Sequence, residues 1–147
     1  MNLVSNLLQT DVASPAGQKI YLTGYSGKEV TDLPKLLAAL DAILIDIRFV
    51  PPDKSLRWSK DYLKLLLRNK YLHVPHLGNR TIRQDGKISI QNISLGIRVI
   101  TELKVNVLLM CECAKEENCH RRLIRQKLKE QGIEAEELMD WSTPLTK

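Results

Sequence analysis

The sequence predicts an α/β fold, a single-domain three-layer arrangement in which helices flank a mostly parallel sheet of about four to five strands. Three observations lead there. The runs AILIDI at 42–47 and VNVLLM at 105–110 are apolar almost throughout, as expected of strands covered on both faces. Stretches of helical periodicity alternate with such runs, the order that gives parallel strands joined by right-handed crossovers. The 147-residue length leaves room for one domain and little more.

Taken in order, residues 1–18 read as a loosely structured N-terminal arm, because Asp11-Val12-Ala13-Ser14-Pro15-Ala16-Gly17 is a cluster of turn formers. The α/β domain spans 19–141. It opens with a β-rich run at 19–24 that ends in Gly24. Thr31 or Asp32 then caps a helix reaching Leu40, with Pro34 tolerated in its first turn. The run at 42–47 is the second strand, and Pro51-Pro52 breaks the chain after it. Residues 55–69 carry the clearest helix: Leu56, Leu63, Leu66 and Leu67 share one side, and Arg57, Lys60, Lys64 and Arg68 share another.

Residues 71–74 read as a short strand before Pro75, Asp85-Gly86 signals a turn, and Asn92 caps a helix running to Leu103. The apolar run at 105–110 is the next strand. Residues 120–131 form a helix stopped by Gly132, and 134–139 supply a last edge strand. The tail at 142–147 frays as termini do.

Composition bounds the function. At 44% hydrophobic and 27% charged, the chain is neither disordered nor collagenous, and three cysteines within nine residues are no disulfide framework. No apolar run approaches the ~20 residues that cross a bilayer, and the first residues lack a positive n-region. The expectation is a cytoplasmic protein without membrane association, its clustered thiols suited to a reducing compartment. Lys and Arg number 22 against 17 Asp and Glu, a net +5 that favours an anionic partner. With four Tyr, two Trp and one Phe, most of them needed for the core, a base-stacking platform is poorly supported.

In parallel sheets ligands bind beyond the carboxyl ends of the strands. That rule selects Gly24-Tyr25-Ser26, Asp46-Ile47-Arg48 and the stretch from Cys111 to Arg121, which the topology brings to one edge. The last is the densest. It joins a buried strand to a helix, so its end meets free N–H groups and a positive helix dipole. Phosphate or carboxylate binds readily there, and Arg121 adds a planar, bidentate donor. The same field lowers the pKa of Cys119, with His120 beside it to move a proton and Glu112 as a general base.

Plainer readings stand beside these. Cys111 at a strand end serves as packing, and Cys113 is a loop thiol without a role. Cys111, Cys113, Cys119 and His120 are four plausible zinc ligands, although C-x-C-x5-C-H is not a standard knuckle spacing.

Asp46 and Arg48 flank Ile47 at strand spacing, so their side chains share a face. They form either a structural ion pair or an anion site in which Arg48 holds the ligand and Asp46 orients it. His73 is read as a hydrogen-bonded core residue and His76 as solvated, while Gly78-Asn79-Arg80 shapes a loop from which Arg80 reaches an anion. Arg57, Lys60, Lys64 and Arg68 form one basic helix stripe, and Arg121, Arg125 and Lys129 a second. Each is either a wet helix face or a track for a nucleic-acid backbone.

Four segments together resemble the DUF488 family, small α/β proteins without an established reaction. They are Ile20-Tyr21-Leu22-Thr23-Gly24-Tyr25-Ser26; Asp46-Ile47-Arg48 with Pro51 or Pro52; Tyr71-Leu72-His73-Val74-Pro75 followed by Leu77-Gly78; and Cys111 with Cys119-His120-Arg121. Cys-His-Arg at a helix start is the most specific of them. The resemblance covers residues 20–140 and implies the fold and a site at these segments. The chain departs from the family at Tyr25, where a His commonly follows the Gly, and at Cys113, where a Glu is common. The stretch after Gly78 is also short. Where the usual His and Glu serve activity, this chain is altered or inactive unless Glu112 compensates.

The leading expectation is an enzyme with an anion-binding, phosphate-binding crevice acting on nucleotides or nucleic acid and needing no cofactor. Cys111, Cys119, His120, Asp46 and Glu112 are its catalytic candidates. Arg48, Arg121, Ser26 and Arg80 bind the anion, with Tyr25 and His73 beside them. The alternatives are a non-catalytic nucleic-acid-binding module and a zinc-stabilised interaction module.

Overall fold

The computed structural model describes residues 17–51, 57–79, 90–113 and 119–142. Among them are β1 (Ile20–Gly24), α1 (Leu33–Leu40), β2 (Ala42–Asp46), α2 (Lys60–Leu67), β3 (Tyr71–His73), α3 (Ile93–Glu102), β4 (Asn106–Cys111), α4 (Arg121–Glu130) and β5 (Ala135–Glu137). Most of the arm at 1–18, the Asp85-Gly86 turn, Arg80 and the tail from 143 lie outside the described residues.

All five strands are parallel, in the order β3-β2-β4-β1-β5. The chain steps one way from β1 to β2 and β3, then reverses to insert β4 between β2 and β1 and to end on β5. Crossovers of one hand running in opposite directions put their helices on opposite faces. Leucines of α1 and α2 accordingly pack with Leu44, Leu108 and Met110, while Ile97 and Ile100 of α3 and Ile124 and Leu128 of α4 pack with Ile45, Val107 and Leu109. The alternation of strand side chains divides the core into these two layers. Among the described residues no helix is long and apolar enough to cross a membrane.

Local chemistry sets the element ends. Ser59 Oγ caps α2 by accepting from Tyr62 N, and Asn92 Oδ1 caps α3 by accepting from Leu95 N. The cap expected of Thr31 or Asp32 on α1 does not form. A 3-10 turn, Val30–Asp32, feeds α1 directly, and Asp32 is already helical, which turns its carboxylate away from the first N–H groups. Gln18, at the end of the arm, donates to the carbonyls of Ile100 and Val105 and ties the entry of β1 to the connection before β4.

The reversal in strand order matters most for function. At their carboxyl ends β1 and β2 lead to one face of the sheet, whereas β4 between them leads to the other. The loops that follow Gly24, Asp46 and Cys111 therefore diverge at one edge, the position at which parallel sheets take ligands.

Candidate functional site

The three sequence segments do meet at this edge. Gly24 pairs with Cys111 and Asp46 with Met110, and the ladder continues as Tyr25 N and Ser26 N donate to the carbonyls of Cys111 and Glu112. Gly24 is required by contact. A Cβ there would lie 1.5 Å from the Cys113 carbonyl oxygen and 2.7 Å from Arg121 Nη1. The bare backbone lets the loop after β4 close against β1.

The candidates fall into two constellations on opposite faces of the sheet. Asp46 follows Leu44 and points to the α1–α2 face, fully buried. Its Oδ1 accepts from Arg48 Nε (2.8 Å) and Arg48 N (3.1 Å), and its Oδ2 accepts from Arg48 Nη2 and Tyr71 OH, both at 2.6 Å. Those bonds fill the carboxylate's acceptor sites. Arg48 Nη1 donates to Tyr25 OH at 3.2 Å and to the Trp58 carbonyl at 2.7 Å, and the Tyr25 ring stacks on Trp58 with centroids 4.2 Å apart.

Burial alone would lower the Arg48 pKa, but the hydrogen bonds and charge of Asp46 outweigh it and hold the guanidinium charged. Burial, and then the neighbouring Asp46, push the Tyr71 phenol well above its ordinary value, and burial likewise raises Tyr25. Of the two readings of Asp-x-Arg, the geometry is that of the bidentate ion pair. His73 Nε2 donates to the Arg48 carbonyl at 2.7 Å, so His73 fixes the backbone at this corner.

The second constellation lies on the α3–α4 face. Cys111 Sγ and Cys119 Sγ are 2.6 Å apart, both buried, and His120 Nδ1 is 3.5 Å from Cys119 Sγ. His120 Nε2 donates to the Ile47 carbonyl at 3.1 Å, which leaves Nδ1, facing the thiol, as the acceptor nitrogen of the neutral ring. Burial lowers the His120 pKa, against the pull of that carbonyl, and favours this neutral form.

Arg121 is fully buried. Its Nε and Nη2 grip Glu137 of β5 at 3.3 and 2.7 Å, while Nη1 donates to Cys111 Sγ at 3.0 Å and to the Cys113 carbonyl at 2.6 Å. The second basic stripe therefore loses its first member. Arg121 faces inward because it begins α4 one turn before the buried Ile124.

The thiols divide the proton unequally. Cys111 is pushed well above its ordinary pKa, first by burial. Cys119 is raised as well. The bond with Cys111 pulls it down, but the bond with Cys113 and burial prevail, so the low pKa expected from the helix dipole is overturned. Cys113, only partly buried, is held well below its ordinary value by the influence of Cys111 and then Cys119. The thiol read as an idle loop residue is thus the one of the three whose pKa is lowered.

The remaining candidates are more peripheral. Ser26 and Glu112 are exposed at the rim, and Arg80 lies outside the described residues. His76 is half-buried rather than solvated, and among the described residues its Nδ1 has no partner. Of the first stripe only Lys60 and Lys64 lie on α2, Lys60 half-buried and Lys64 exposed; Arg57, 3.7 Å from Glu29, precedes the helix and Arg68 follows it, both exposed.

Sequence reading missed Tyr71 and Glu137 as partners. For Glu137 a signal existed: Ile133 and Ala135 alternate into the α3–α4 layer, and Glu137 continues that alternation. Nothing local links Tyr71 to Asp46. Chemically, Cys111, Cys119 and His120 form a group able to hold a metal ion, since their ligand atoms all lie within 4.8 Å of one another. Comparison of the chain with protein-family models, with curated proteins and with solved structures gives no match.

Proposed function

We propose that this protein is a DUF488-like enzyme whose crevice binds an anionic, phosphate-bearing substrate, such as a nucleotide or nucleic acid, and presents a thiol to it. One observation carries the reading. Cys111, Cys113, Cys119, His120 and Arg121 form one bonded cluster at the reversal of strand order, the position at which sheets of this class take ligands. The net charge of +5 and the start of the ten-residue helix α4 at the cluster support an anionic substrate, and the four-segment resemblance supports the family.

Within this reading Cys113, the half-exposed thiol, meets the substrate. His120 Nδ1 is the proton acceptor beside Cys119, and Arg121 fixes the loop through the Cys113 carbonyl. Asp46 and Arg48, occupied with each other, brace the crevice from the opposite face. Ser26 and Glu112 form its rim.

Alkylation with iodoacetamide, mapped peptide by peptide, tests the proposal. Cys113 is expected to label first in the folded protein, and inorganic phosphate or a mononucleotide to slow it. If all three thiols label only on unfolding, or neither anion protects, the reading fails.

A second reading, a zinc-stabilised module, is favoured by the mutual proximity of the Cys111, Cys119 and His120 ligand atoms. His120 presents Nδ1 to the group and anchors Nε2 on a carbonyl, as metal-bound histidines do. Cys113, the fourth ligand of the sequence reading, is not in this group, so the set in place is Cys2His. Zinc at one equivalent per chain in purified protein would support this module, and metal-free protein of undiminished stability would remove it.

A further inference from the structure

The geometry points to a dithiol–disulfide couple at this cluster: Cys111 and Cys119 are the buried pair that is oxidised, and Cys113 is the relay through which an external disulfide reaches them. The inference rests on the thiol cluster but not on anion binding. Its ground is the combination of contact and access. Cys111 Sγ and Cys119 Sγ touch at 2.6 Å but are each only 1% exposed, so no bulky oxidant reaches them directly. Cys113, only partly buried, packs against the cluster that holds both, and its carbonyl accepts from the same Arg121 Nη1 that meets Cys111 Sγ, so it is the cysteine nearest to solvent. The fold supplies the remaining parts. His120 Nδ1 faces Cys119 Sγ at 3.5 Å, and Arg121 Nη1 steadies Cys111 Sγ at 3.0 Å. Cys111 ends a strand and Cys119 stands just before a helix, so each of the pair is held by a rigid element.

The steps balance. The Cys113 thiolate attacks one sulfur of the external disulfide RSSR, forming a mixed disulfide and expelling RS⁻. Cys119, giving its proton to His120 Nδ1, attacks the Cys113 sulfur and expels the second RS⁻. Cys111 then loses its proton and attacks the Cys119 sulfur, which restores the Cys113 thiolate and leaves the Cys111–Cys119 disulfide. The two protons released convert both RS⁻ to RSH. Two electrons pass from the protein pair to the external disulfide, and the reverse sequence reduces the protein.

Oxidised glutathione is the probe, with the product located by peptide mapping after acid quenching. The wild-type chain is expected to give one disulfide, Cys111–Cys119. Cys113→Ser is expected to slow its formation about tenfold or more, because exchange follows the access of the attacking thiol, while leaving the final glutathione ratio at half-oxidation unchanged. Cys119→Ser is expected to stall with glutathione on Cys113, which also shows that thiol to be reachable if Cys113→Ser misfolds. A product joining Cys113 to another cysteine at equilibrium overturns the inference. So does an unaltered rate in Cys113→Ser, or three thiols that stay reduced until the protein unfolds. Failure here with phosphate protection of Cys113 intact would leave the substrate reading standing; the opposite pattern would leave only the redox couple.

Discussion

Two buried arginines stand at the carboxyl edge of one sheet, Arg48 just beyond β2 and Arg121 at the start of α4. Each grips a carboxylate with Nε and Nη2, Arg48 through Asp46 and Arg121 through Glu137. They differ at Nη1. That of Arg48 ends on a phenol and a carbonyl, within a network whose carboxylate is saturated and whose aromatic rings are stacked. That of Arg121 ends on a carbonyl and a thiol, and the thiol belongs to a cluster of groups that can lose protons, exchange partners or take a metal. The same ion-pair device thus closes one face of the edge and leaves chemistry on the other. A buried charge pair next to a crevice does not by itself mark a site; what its spare donors touch decides that.

The largest effect that would break this comparison concerns Asp46. Asp46→Ala leaves Arg48 charged and uncompensated, and a loss of about 3–5 kcal/mol in urea denaturation is expected. Asp46→Leu combined with Arg48→Met should recover most of it, since the pair is then removed as a unit. Glu137→Ala should cost less, because Glu137 keeps 11% exposure and Arg121 Nη1 retains its bonds to the Cys113 carbonyl and Cys111 Sγ. Equal losses for Asp46→Ala and Glu137→Ala would remove the distinction between the two faces.

Gly24→Ala comes next. Its Cβ must displace the Cys113 carbonyl and Arg121 Nη1, so about 1–3 kcal/mol of stability is expected to go. Alkylation of Cys113 should change with it. A Gly24→Ala protein with wild-type stability and wild-type labelling would show that this close approach does not shape the thiol loop.

The smallest effect separates the faces most cleanly. Tyr71→Phe removes one donor from Asp46 Oδ2, for an expected cost of about 1–2 kcal/mol with thiol labelling unchanged. It should also alter the alkaline limb of stability. Tyr71 keeps its proton in the folded state to a pH well above the ordinary 10.0, so the unfolded chain ionises first. The contribution is full below pH 10 and is lost as pH rises above it. Denaturation midpoints measured from pH 8 to 11 should therefore fall less steeply in Tyr71→Phe than in wild type. Identical slopes would show that Tyr71 does not carry this linkage.

Much of this architecture is legible in the chain. The apolar runs at 42–47 and 105–110, Asn92 as a cap, and Gly132 after α4 place elements whose observed ends agree to within one or two residues. Such signals are local: strand burial, cap chemistry and helical period act over a few neighbours. The gathering of Gly24, Asp46 and Cys111 at one edge also follows from strand order and the carboxyl-end rule. The sequence does not show which faces those residues take relative to each other's partners. Asp46 meets Tyr71 across 25 positions, and Arg121 meets Glu137 across 16.

By itself, then, the sequence determined the α/β class, the order of elements, and the presence of a thiol-rich turn between a buried strand and a helix. Only the tertiary structure decided that Asp46 and Arg48 close on each other, that Arg121 faces inward, and that Cys113 rather than Cys119 is the thiol set apart from its buried neighbours. The reason is physical. Element formation depends on short-range periodicity and capping, whereas ionisation depends on burial and on which groups are brought within hydrogen-bond distance. Both of those are fixed by the reversal of strand order that wedges β4 between β1 and β2.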